Sequence, residues 1–354
     1  MTRPLHSSAR LVALVLAALV CAVGCERAAR TKTITGETMG TVYTVRAVVP
    51  GHATISEADL RAAVEEAFER INGLMSTYRE DSELSRFNAS RSTEPFSVSA
   101  DTAAVFALAQ RVSERTGGAF DVTVGPLVNA WGFGPNGRDT TPPDEARLTE
   151  LRRHVGHGLL EVDEAASTVC KRDPELYCDL SAVAKGYAVD KAAEALEAIG
   201  IENYMVELGG EVRTRGRTAA DRPWRIAVER PDEHVRAIET VVPLSGLSIA
   251  TSGGYRNFRE VDGRKFSHTI DPRTGEPVMT RLASVSVIHP SCAAADAYAT
   301  ALMVMGVDEG FEFAEDEGLA VVFLVHADAA SGPDVDLVRL TTRRFGEMIL
   351  DQTR

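Results

Sequence analysis

The stretch DLSAVAKGYAVD, residues 179–190, decides how the rest of the chain is read. It opens with the carboxylate of Asp179 at the end of an apolar run, Leu176-Tyr177, passes small residues and Lys185, and enters a helix closed by Gly200. Small residues at such a turn let backbone approach a ligand closely, and the first N–H groups of a helix are open to an anion. An acid and a lysine around that turn suit a ligand carrying both phosphate and polar ring atoms.

Upstream of it, residues 33–49 alternate and are rich in Thr and Val, which predicts one strand interrupted at Met39-Gly40-Thr41. Glycine there marks a bulge or a ligand lying against the backbone. Ser56 caps a helix whose Leu60, Val64, Phe68 and Ile71 share a face. It runs out into MSTYREDSELSRFN (75–88), a polar loop that either holds a ligand or turns in solvent. A second helix is expected over 101–115. The segment TGGAFDVTVGPLVNAWGFG (116–134) has two adjacent glycines, an aromatic and a carboxylate, which make either a cradle for a planar ring or a Gly-rich loop over core aromatics. Pro142-Pro143 and Asp144 start a third helix, and short strands at 159–162 and 168–171 lead back to the opening stretch.

Downstream, 204–208 reads as a strand ending in Gly209-Gly210, and alternation at 224–229, 238–244 and 247–251 predicts a largely antiparallel meander. SHTIDPRTG (267–275) places His268 and Asp271 at a strand end, a frequent address for catalytic groups. A helix opening at Ser291 carries Asp296 and Thr300 four apart, hence on one face, where they offer two oxygens to a hard cation such as Mg²⁺. A helix near 309–317, a strand over 319–325 and a short strand-like piece complete the reading.

The chain has 354 residues, 44% hydrophobic and 25% charged, enough for a core in one large or two smaller domains. A net charge of −13 with no Lys/Arg cluster excludes nucleic acid as a partner. Arg3 and Arg10 precede an apolar run over 11–23, shorter than a membrane span and typical of a secretory signal. Ala22-Val23-Gly24-Cys25 is similar to a bacterial lipobox, with Ala22 where leucine is more usual; a plain signal peptide is the alternative. The division is a signal over 1–24, a tether over 25–31 and one domain over 32–350. An acylated Cys25 would make this an exported lipoprotein facing the periplasm or cell exterior. Of the remaining cysteines, Cys170 and Cys178 either pair across a hairpin or stay, with Cys292, as small thiols; no spacing suits zinc.

Seven segments together resemble the ApbE family of bacterial flavin transferases: Met39-Gly40-Thr41, the segments 75–88, 116–134 and 179–190 quoted above, VELGGEVRTRG (206–216), SHTIDPRTG, and ADAYATALMVMG (295–306). They span nearly the whole mature chain. The resemblance implies an α+β fold, two α/β subdomains with largely antiparallel sheets and a nucleotide site between them. It implies Mg²⁺-dependent transfer of FMN from the substrate FAD to a threonine hydroxyl, in a subunit of a membrane redox complex, with release of AMP. Asp296, Thr300 and the carbonyl of Ala182 map to Mg²⁺ ligands. Met39, Tyr78, Ala119, Phe120, Asp121, Asp179, Lys185 and Ile270 map to flavin-nucleotide contacts, with Lys185 steadying a phosphate. His268 is the candidate base and Asp271 the reserve. The chain departs from the family at Gly254, where an acidic residue is frequent, and at Tyr298, where a smaller aliphatic is common. An FAD pyrophosphatase and a non-catalytic FAD-binding lipoprotein are the alternatives.

Overall fold

Two left-handed residues begin the architecture. Met39 (φ 49°) and Gly40 (φ 72°) form a two-residue turn that folds β1 (Arg30–Thr38) back on β2 (Thr41–Val49), with Thr38 opposite Thr41. Left-handed conformation at both central residues matches the twist of a hairpin. The single interrupted strand expected here is therefore corrected to two strands. Alternation is the same on both arms, and Met-Gly lacks the Asn-Gly or Asp-Gly signature that announces such a turn. The computed structural model describes residues 28–135, 141–231, 237–254, 258–261, 264–327 and 337–353. The signal, the lipobox and Cys25 lie outside the described residues, and β1 begins at Arg30, inside the segment expected as tether.

The chain continues through α1 (Glu57–Met75), α2 (Glu83–Ala89), β3 (Phe96–Ser97), α3 (Ala100–Arg115), α4 (Gly125–Ala130), α5 (Glu145–Arg152), β4 (Leu160–Asp163) and β5 (Thr168–Lys171). Next is α6 (Ser181–Ala198), the helix of the opening stretch. Then come β6 (Tyr204–Leu208), β7 (Glu211–Arg215), β8 (Trp224–Arg230), β9 (Ala237–Leu244), β10 (Ser248–Gly253), β11 (Phe258–Val261), β12 (Arg264–Ser267) and β13 (Leu282–His289). The last elements are α7 (Cys292–Asp316), β14 (Ala320–His326), β15 (Leu337–Thr341) and α8 (Arg343–Thr353). Local chemistry sets the helix starts. At α1, Ser56 Oγ accepts from Asp59 N–H while the Asp59 carboxylate accepts from Ser56 N–H, a reciprocal cap in which the serine side chain contributes about 1 kcal/mol.

Eight strands in the order β1-β2-β6-β7-β10-β13-β14-β15 form one antiparallel sheet. One face packs on α1, α3, α6 and α7 around Tyr43, Phe68, Ile71, Val189, Val285 and Phe323, the main core. The other face is covered by the β8–β9 ribbon and α8, where Trp224, Ile226 and Val242 meet Val212, Ile249 and Val322. Central β13 is consequently buried on both sides from Leu282 to Ile288. A satellite cluster of Leu127, Trp131, Leu148, Leu151 and Ile270 ties α4 and α5 to the loop after β12. The architecture is thus α+β and mostly antiparallel, as expected. Two details differ: β8 and β9 leave the meander to make a separate ribbon, and α8 replaces an unassigned end. The helices expected at Ser291 and near 309 are joined in α7, broken where Gly306 leaves helical geometry (φ 79°, ψ −164°). The three cysteines among the described residues are free thiols; Cys170 Sγ donates to Thr93 O and Cys178 lies in the main core.

Candidate active site

One end of the large sheet gathers the chemistry. The Met39-Gly40 turn stands beside the Gly209-Gly210 turn, since Gly209 N–H donates to Val42 O (3.1 Å) and a Cβ at Gly209 would meet Thr41. Glu211 opens β7 at that end, and Ser252 lies near the end of β10, which pairs with β7. Onto this edge come α6 and the first half of α7, crossing at Gly186. A Cβ there would sit 2.4 Å from Cys292 O and 2.8 Å from Ala293 Cα, so only glycine allows the approach. Asp190, one turn further along α6, fastens the crossing. Its carboxylate accepts from Ser291 Oγ (2.9 Å), Cys292 N–H (3.0 Å), Ala293 N–H (3.1 Å) and Arg213 (2.7 Å). It caps a helix N-terminus from a neighbouring helix.

At the crossing, Gly186 N–H donates to Asp296 Oδ2 (3.0 Å). In an α-helix that same N–H faces the carbonyl four residues earlier, which is Ala182. The Ala182 carbonyl and the Asp296 carboxylate therefore meet around one backbone nitrogen. Thr300, a turn beyond Asp296, lies 3.3 Å from Ser252 Oγ. Lys185 reaches Glu211, Nζ to Oε1 2.5 Å, and Glu211 is almost wholly buried with its Oε2 lacking any partner. Burial pushes the Glu211 carboxyl up to about 7 against the pull of Lys185. Burial likewise raises Asp296, opposed by Lys185 and by the Gly186 N–H. Burial alone would lower Lys185, but the Asp296 and Glu211 carboxylates outweigh it and raise its pKa. Glu211 was not among the residues expected from sequence. The available signal was an acid directly after Gly209-Gly210 at a strand start.

The remaining expected residues fall into groups. Asp179 sits just before α6; its Oδ1 accepts from Ser181 N–H (2.9 Å), and its own N–H donates to Val122 O (2.7 Å). The Ser181 N–H is thereby removed from the set expected to be open to an anion. Asp121 is buried and accepts from Thr123 N–H (2.8 Å) and Oγ1 (2.7 Å); burial raises its pKa against those bonds. The Phe120 side chain belongs to the main core, and Ala119 is buried as well, which matches the core-aromatic alternative for that segment. Ile270 is likewise committed to the satellite cluster and bridges to Pro277. Tyr78 is 70% exposed, and its hydroxyl donates to Phe133 O (3.4 Å). The Phe133 ring lies edge-on to His268, centroids 6.4 Å apart, so Phe133 meets Tyr78 through its backbone carbonyl and His268 through its ring. Met39 rests against the main core at the hairpin tip. Asp271, the reserve base, is instead tied to Arg273 by both carboxylate oxygens and caps its own turn through Arg273 N–H (2.8 Å). Tyr298 is a core residue, its ring against His289 and Phe313.

No cluster of three or more His, Cys, Asp or Glu side chains suited to a metal occurs among the described residues. The set that does converge, one buried carboxylate, one hydroxyl and one backbone carbonyl, is all oxygen. It fits Mg²⁺, which keeps waters and substrate phosphates in its shell rather than a cage of protein ligands. An open cavity of about 500 Å³ lies between the loop 271–280 and the Gly306 break, lined by Pro277, Met279, Val304 and Asp308 among others.

The chain belongs to the ApbE family, whose model matches residues 39–323. It is 45% identical over 314 residues to an FAD:protein FMN transferase of Vibrio cholerae serotype O1, covering 88% of this chain and 93% of that protein. It is 39% identical over 320 residues to one of Escherichia coli, covering 88% and 91%. The structure is similar to that of the flavin transferase ApbE from Vibrio cholerae, with TM-score 0.81 and 41% identity over 90% of this chain and 99% of the other. It also matches the Pseudomonas stutzeri flavinyl transferase ApbE in its apo form, with TM-score 0.81 and 36% identity over 91% and 97%.

Proposed function

We propose that this enzyme transfers the FMN half of FAD to a threonine hydroxyl of an acceptor protein, releasing AMP, with Mg²⁺ as its metal. The observation that carries the reading is the convergence of the Ala182 carbonyl, Asp296 and Thr300 beside Lys185, oxygen ligands and a cation at one place. The names of its relatives point to FMN transfer from FAD to a protein. The acceptor Oγ attacks the phosphorus on the FMN side, the bond from that phosphorus to the AMP phosphate breaks, and the hydroxyl proton passes to His268. Lys185 steadies the phosphates as a point charge, and Asp179 and Asp121 orient the nucleotide. A bound Mg²⁺ supplies neutralisation of the pyrophosphate oxygens. The N-terminal sequence supports anchoring through an acylated Cys25 on the outer side of a bacterial membrane, within reach of acceptor subunits of redox complexes.

The test is incubation of the chain lacking residues 1–25 with FAD, Mg²⁺ and a threonine-containing acceptor, with mass spectrometry of the acceptor and chromatography of AMP. One FMN added per AMP released is the expected result. AMP with free FMN and an unmodified acceptor would make it a hydrolase. Intact bound FAD would make it a carrier. Full activity in chelator would remove the metal, and wild-type rates in His268→Ala would remove the base.

A further inference from the structure

Glu211 has no part in the steps above, yet it is the most deeply buried acid of the site and has an unpartnered oxygen. Its other oxygen holds the Lys185 ammonium at 2.5 Å. The second acid acting on that ammonium is Asp296, whose Oδ2 is fixed by the N–H of the residue next to Lys185. Lys185 thus has two carboxylates to choose between, and pairs with Glu211. The choice matters because a lysine closed onto Asp296 would occupy the negative charge that a divalent cation needs.

We infer that Glu211 is a positioning residue that draws Lys185 away from Asp296 and so keeps the Asp296 carboxylate available to a divalent cation. The inference rests on the metal reading of the preceding section and deepens it. In the resting enzyme Glu211 parks the lysine. When a phosphate arrives, the ammonium has a nearby anion to share, without first having to be detached from the metal ligand. The unpartnered Oε2 lets Glu211 hold Lys185 through either oxygen as the ammonium shifts. Glu211 touches neither metal nor reacting atoms in this account; it acts through Lys185.

The experiment measures Mn²⁺ binding to the full chain in detergent, without FAD, by electron paramagnetic resonance of the free ion, alongside thermal melting of each variant. Outer partners of metal ligands typically alter metal affinity 10–100-fold. Glu211→Gln is expected to weaken Mn²⁺ binding by about 10-fold, because the freed Lys185 turns to Asp296. The double variant Lys185→Met with Glu211→Gln removes the competitor and is expected to recover most of that loss. A purely structural role for Glu211 predicts no such recovery. Unchanged binding in Glu211→Gln, or a double variant as weak as the single, overturns the inference. Absence of Mn²⁺ binding in the wild-type chain overturns the metal reading itself, and the inference with it.

Discussion

Asp190→Ala tests whether one carboxylate fastens the two site helices. The substitution removes an acceptor shared by Arg213, Ser291 Oγ and the N–H groups of Cys292 and Ala293. Removing one partner of a buried ion pair costs ~3–5 kcal/mol. The Arg213 side chain is 26% exposed, which places this pair at the lower end of that range. Two helix N–H groups left unpaired add ~1 kcal/mol each. The expected destabilisation is therefore about 5 kcal/mol, or about 7 °C in Tm for a chain of this size. Urea unfolding followed by circular dichroism, with the m-value unchanged, is the assay. Asp190→Asn keeps one acceptor oxygen and should lose about half as much. Pairing Asp190→Ala with Arg213→Met removes the stranded cation and should recover about 2 kcal/mol. A loss below about 1 kcal/mol for Asp190→Ala would refute the reasoning, because burying those groups unpaired cannot cost so little.

Gly186→Ala drives a methyl into Cys292 O and is expected to cost about 1–3 kcal/mol by overpacking, with weakened metal binding, read by melting and Mn²⁺ titration. Glu211 gives a pH signature in the metal-free enzyme. Its folded pKa, about 7, lies above its ordinary 4.5, so between those values the folded state keeps a proton that the unfolded chain has released. Stability from this group is full below about 4.5 and is lost as pH rises toward 7; melting across that range should show the decline, and Glu211→Gln should flatten it. In the chain lacking residues 1–25, a thiol reagent should label Cys170 in the native state, and Cys178 and Cys292 only after unfolding. Reducing agent should leave the melting temperature unchanged.

Much of this was legible because the site uses short-range patterns. Asp296 and Thr300 share a helix face by spacing alone, and the placing of Asp179 and Lys185 around a helix start survives in the structure. What escaped depends on contacts across long sequence separations. Nothing local marks Asp190 as the cap of α7, about a hundred residues later, or Glu211 as the partner of Lys185. Phe120 stayed open between a ring cradle and a core aromatic, because an aromatic beside glycines is read the same way whether it faces a ligand or the core. The Met39-Gly40 hairpin was missed for a different reason: period-two alternation is blind to reversal of the chain, so only the turn residues could have disclosed it.

The interruption of α7 at Gly306 has a mechanical consequence. Asp296 and Thr300 sit on the half whose start is pinned by Asp190, while residues after Gly306 line the open cavity. A regular hydrogen-bond ladder transmits displacement along a helix as along a rod, and here the rod is cut. A displacement of the outer half is therefore not passed along a continuous ladder to Asp296 and Thr300.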